Sequence, residues 1–141
     1  MSTQTIRFLI AFVLFMHGLA HIGPTITLFV TDRMDTGGWR PANSWLIPGL
    51  NPDAAKWLAV ALWILSLVFF IGAALSFLGV PLADISWRWL ALAGAIPSTL
   101  GIFLFLGTWP TFNTIAALAV NLAVFITQFW THWPPEQMFG K

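Results

Sequence analysis

His17 and His21 stand four residues apart in a stretch that otherwise carries mostly apolar side chains. On a helix that spacing places both imidazoles on one face. Imidazole exchanges a proton near neutral pH, ligates metals and hydrogen-bonds carbonyl groups. An ionisable group in hydrocarbon is costly unless it is paired or useful, so these two residues are the first candidates for function. A second polar series, Thr114, Asn121 and Gln128, repeats every seven residues and drifts by only about 20° per step, so it too occupies one helix face. Ser98 and Thr99 beside Pro97, and Trp63 with Ser66, add polar atoms to two further apolar stretches.

The elements that must position these groups follow from composition. The chain has 141 residues, 58% hydrophobic and 8% charged, against about 25% charged in an ordinary soluble domain. Mean hydropathy is +0.83. Eleven charged side chains cannot cover a soluble surface of this size. Six Lys and Arg against five Asp and Glu leave no basic patch for nucleic acid. Without cysteine there is no disulfide framework and no thiolate chemistry. The composition is that of an integral membrane protein.

Four apolar stretches of about the length a bilayer requires occupy residues 6–30, 54–78, 87–107 and 111–130. They predict a single all-α domain, an integral-membrane four-helix bundle over residues 1–141. Gly79-Val80-Pro81, Trp109-Pro110 and Pro134-Pro135 punctuate the spans. The first apolar run is far longer than a signal-peptide core, so it is expected to remain as a helix. Pro24 is where that long helix should bend. Trp57, Trp87, Trp89, Trp109, Trp130 and Trp133 fall near span ends and read as interfacial anchors. Residues 31–53 form a loop long enough to serve as a lid or recognition surface. Arg7, Arg88 and Lys141 lie on one side of the membrane and Arg33, Arg40 and Lys56 on the other. Charge therefore balances, and the long loop favours both termini in the cytoplasm. Small residues four apart, Ala91/Ala95, Gly94/Ser98, Gly72/Ser76 and Ala119/Ala123, favour close helix packing within a bundle or a homo-oligomer.

Depth arithmetic joins the polar groups. His17 lies about 16 Å inside from residue 6, and Asn121 about 15 Å inside from residue 111 on the opposite surface. In a core about 30 Å thick the two meet near the midplane. Ser98, Trp63 and Ser66 reach the same third of the bilayer. The expectation is a midplane pocket with His17 and His21 as the proton-exchanging groups and Trp63, Ser66, Ser98, Thr99 and Asn121 as ligand-binding groups. Its best fit is a lipophilic ligand such as a quinone, whose carbonyls would meet imidazole and amide groups while Phe, Leu and Trp take the apolar body. Two histidines alone do not complete a zinc site, and histidines on one helix cannot clamp a haem from both sides, so neither metal nor haem is favoured. A non-enzymatic scaffold, whose polar layer fixes helix register, is the alternative. A histidine-dependent metal enzyme is a third reading, and whether the protein is an enzyme stays open.

The opening run Arg7-Phe8-Leu9-Ile10-Ala11-Phe12-Val13-Leu14-Phe15-Met16-His17-Gly18-Leu19-Ala20-His21 resembles the first helix of the DoxX-like family of small four-span membrane proteins. Arg7, His17, Gly18 and Leu19 carry the likeness, and His21 stands where that family usually has lysine. Asn51-Pro52-Asp53-Ala54-Ala55 and the apolar helix ending at Leu78-Gly79 resemble its second span, with Leu62 and Trp63 near the position of its usual glutamate. A second likeness, carried by Gly107-Thr108 and Asn113-Thr114-Ile115, is to a group of bacterial membrane proteins that brings no known function. The DoxX-like resemblance implies a four-helix bundle in a bacterial inner membrane, quinone-linked redox work and a membrane redox subunit as partner.

Overall fold

The computed structural model describes residues 2–30, 37–80 and 85–135. Helix α1 spans Thr3–Ala20 and α2 spans Ile22–Thr27; α3 is Pro52–Phe77, α4 Trp87–Leu104 and α5 Thr111–Ile126. A π-helical turn, Thr127–Thr131, extends α5. Four stretches, Thr3–Thr27, Pro52–Phe77, Trp87–Leu104 and Thr111–Thr131, are long and apolar enough to cross a membrane. The protein is an integral-membrane four-helix bundle. Residues 31–36 of the expected lid, Arg33 among them, and residues 136–141 lie outside the described part.

Local chemistry sets the helix limits. The Ser2 side chain accepts from the Thr5 amide at the start of α1, and Asn51 Oδ1 accepts from the Asp53 and Ala54 amides at the start of α3. Pro52 follows as the first residue of α3, where its missing N–H removes no helical bond. Gly79, with φ 93°, ends α3. Its amide donates to Ser76 O, and the Val80 amide donates to Leu75 O, the paired bonds of a Schellman turn. The first span breaks at His21 rather than at Pro24. Pro24 has no N–H to give to the Ala20 carbonyl, so the helical ladder fails one turn before the proline.

Packing runs in chain order: α1 and α2 on α3, α3 on α4, α4 on α5. Small residues permit the closest approaches. A Cβ at Gly18 would lie 3.1 Å from Phe70 Cβ and 3.2 Å from the Leu67 carbonyl, so α1 meets α3 here nearly backbone to backbone. Gly94 receives the Phe70 ring from α3, and Ala91 and Ala95 are fully buried beside it. Ala119 and Ala123 of α5 instead stay exposed.

Both ends of the bundle are fastened. On one side, Arg7 Nε donates to Phe77 O at 3.0 Å. Nearby, Arg88 donates to Gln128 Oε1 at 2.9 Å and to the Pro134 carbonyl at 2.6 Å. On the other side, the described part of the long loop lies over the helix ends. Arg40 N donates to Thr108 O, Trp45 Nε1 donates to Phe103 O, and Ala42 is buried in the cluster that holds Trp63, Phe105 and Trp109. The tryptophans divide accordingly. Trp57, Trp89 and Trp130 are exposed as anchors should be, whereas Trp109 is 5% exposed and belongs to the core.

Candidate ligand site

His17, His21, Ser98 and Asn121 come together between α1, α4 and α5 in a ring of hydrogen bonds, and their directions can be assigned. The His17 carbonyl can only accept, so His21 Nδ1 carries a hydrogen and donates to it at 2.9 Å. A neutral imidazole then has a lone pair at Nε2, and the Ser98 hydroxyl donates to it at 2.9 Å. With its hydrogen so used, Ser98 Oγ accepts from Asn121 Nδ2 at 2.8 Å. Asn121 Oδ1 is left to accept, so His17 Nε2 carries the hydrogen across 2.9 Å to it. The circuit runs in one sense and closes on residue 17. It makes His17 the Nε2–H tautomer and His21 the Nδ1–H tautomer.

Aromatic side chains enclose the circuit. The two imidazoles meet edge to face at 5.1 Å, Phe70 stands 4.5 Å from His17, and Trp109 stands 5.3 Å from His21. Trp63 packs against Trp109 at 5.5 Å and needs Gly101 beside it, where a Cβ would come within 2.8 Å of Trp63 Nε1. Among the described residues neither indole N–H has a hydrogen-bond partner, nor has Thr99 Oγ1.

The candidate residues therefore separate into groups. His17, His21, Ser98 and Asn121 are bonded together; His21, Ser98 and Asn121 are at most 1% exposed, and His17 is 7% exposed. Trp63 is fully buried behind them. The Ser66 hydroxyl donates to Leu62 O of its own helix at 2.8 Å. Thr99, one residue past Ser98, is turned about 100° around α4 from it. Asn121 and Gln128 are both buried on the shared face of the last span, while Thr114 bonds to the Pro110 carbonyl at the start of α5.

One of these residues also reaches the outside. A cleft of about 310 Å³ lies between α1 and α5, lined by Phe12, Val13, Met16, His17, Ala20, Trp109, Phe112, Asn113, Ala116, Ala117 and Val120. His17 is the one member of the circuit in its wall. A second, more apolar cleft of about 230 Å³ continues along the same two helices past Val13 and Val120. The clefts exist because α1 and α5 are not a closely packed pair. His17 Nδ1 has no hydrogen-bond partner among the described residues, and it is not among their fully buried unpaired polar atoms. It therefore remains a lone-pair acceptor on the one circuit residue that lines the cleft.

Three of the four imidazole nitrogens are committed to hydrogen bonds. Among the described residues no three His, Cys, Asp or Glu side chains converge as a metal site would require. Sequence reasoning missed Trp109, Phe70 and the two valines that the clefts share. An indole at a span end reads as an anchor, and nothing in spacing distinguishes Val13 or Val120 from other lipid-facing residues.

No protein family, no curated protein and no solved structure is detectably similar to this chain.

Proposed function

We propose that the protein binds a quinone-like lipophilic ligand in the cleft between α1 and α5, as an accessory or catalytic part of a bacterial inner-membrane redox system, with both termini in the cytoplasm. The observation that carries this reading is the placement of His17: its ring stands in the wall of a membrane-facing apolar cleft, held there through Nε2 by Asn121. Binding sites for small lipophiles are mostly apolar with few fixed polar groups, and this cleft matches that description. The likeness of the opening helix to the DoxX-like family supports the same direction, and a membrane redox subunit would be the partner. In this reading His17 is the group that meets the ligand. His21 and Asn121 act through it, as positioning residues that fix its tautomer and ring plane.

The test is native mass spectrometry of protein released from lipid particles. An adduct of quinone mass that disappears when the cleft is filled by Val120→Trp is the expected result. A protein that carries no adduct even after incubation with excess quinone and with excess quinol would overturn the reading.

The closure of the circuit supports a second reading, a scaffold in which the polar layer only sets helix register. That reading expects His17→Ala to lower thermal stability without changing any ligand signal, and Trp45→Ala in the loop to release a partner in pull-downs. The metal-enzyme alternative is left with a single uncommitted nitrogen in the His17/His21 pair.

A further inference from the structure

We infer that the ligand of the α1/α5 cleft is a lipid whose head donates an O–H group to His17 Nδ1, so that a quinol is held in preference to the corresponding quinone. This inference rests on the ligand-binding reading above and narrows it to one chemical form. The hydrogen-bond circuit has a single consistent sense for neutral rings, and it ends with the His17 hydrogen on Nε2, bonded to Asn121. What His17 offers the cleft is a lone pair. A quinone carbonyl is also an acceptor and gains nothing from that contact, whereas a phenolic hydroxyl does. Tautomer exchange would not rescue the quinone: moving the hydrogen to Nδ1 would set two acceptors, Nε2 and Asn121 Oδ1, against each other at 2.9 Å.

The groove also orients its occupant. The half nearer the long loop carries His17 and Asn113. The other half, past Val13 and Val120, is lined mainly by apolar residues such as Leu9, Ile10 and Val124, with Thr127 and Gln128 at its far end. From Asn113 to Thr127 the groove follows α5 for about 21 Å. A lipid of the loop-side leaflet would thus slide in sideways between α1 and α5, with its head beside His17 and its chain continuing towards the far surface.

Binding to the full chain in nanodiscs, with empty nanodiscs as the partition blank, separates the possibilities. The probes are a tritiated decyl-benzoquinol, the matching quinone and the dimethyl ether of the quinol, which keeps the shape without the hydroxyl hydrogens. One added hydrogen bond predicts that the quinol binds roughly two- to tenfold more tightly than either of the others. Ala116→Trp, which fills the cleft without touching the circuit, should abolish binding of all three. Equal affinity for the three probes, lost in Ala116→Trp, would overturn the hydroxyl preference while leaving the ligand-binding reading standing. Binding that survives Ala116→Trp would overturn the placement in this cleft. No binding of any probe above the blank would overturn the ligand-binding reading itself.

Discussion

His17 and Asn121 are joined by a 2.9 Å hydrogen bond across the seam between α1 and α5, two helices that are otherwise not closely packed. The other neighbouring pairs, α1 with α3, α3 with α4 and α4 with α5, pack directly on one another. This pair is bridged by a polar contact beside the clefts that run between the two helices. The bond that bridges α1 and α5 is therefore also the bond that fixes the one imidazole of the circuit lining the cleft, so stability and the ligand site depend on the same atoms.

A double-mutant cycle on His17→Ala and Asn121→Ala should give a coupling energy of about 0.6 kcal/mol, with about 1.7 kcal/mol as the upper range for such bonds in membranes. The readout is reversible unfolding in mixed micelles. Strict additivity would mean that the two side chains do not share a bond.

Gly101→Ala should destabilise the bundle by about 1–3 kcal/mol, because the new methyl needs space that Trp63 occupies in a tightly packed core. Gly23→Ala is the control. Its Cβ would meet only the Trp39 ring at 3.6 Å, an ordinary contact, so its melting temperature should stay near that of the wild type. A thermal scan in the same detergent compares the two.

Arg88→Gln should loosen the end of the last span. Arg88 donates to Gln128 and to the His132 and Pro134 carbonyls, and so neutralises acceptors that the π-helical turn leaves open. Hydrogen exchange should rise at residues 127–133 and remain unchanged in α3. Equal exchange in variant and wild type would show that the turn holds without the guanidinium.

The number and length of the spans were legible because hydropathy and helical rise are nearly sufficient to set them in a membrane. The height of the polar layer was legible for the same reason: counting residues inward from each surface brings His17, Ser98 and Asn121 to one level, and there they bond. Height carries no information on direction around the helix axis. Ser66 lies at a suitable depth yet satisfies its hydroxyl on Leu62 of its own helix, and Thr99 lies one step around α4 from Ser98. Trp109 shows the converse error. Its position near a span end reads as an interfacial anchor, but the long loop folds over it and makes it part of the core beside His21. The break in the first span was expected at Pro24 and falls at His21, because a proline disrupts the turn that precedes it.

The most direct test of the account is nitrogen-15 NMR of the histidine rings in lipid particles, since protonated and unprotonated imidazole nitrogens are resolved from each other. The account predicts opposite tautomers in neighbouring residues, with the hydrogen on Nε2 in His17 and on Nδ1 in His21. Adding the decyl-benzoquinol should shift His17 Nδ1 and leave the His21 nitrogens nearly unchanged. Finding the same tautomer at both positions, or a His17 whose hydrogen resides on Nδ1, would contradict the circuit and the acceptor it presents to the cleft.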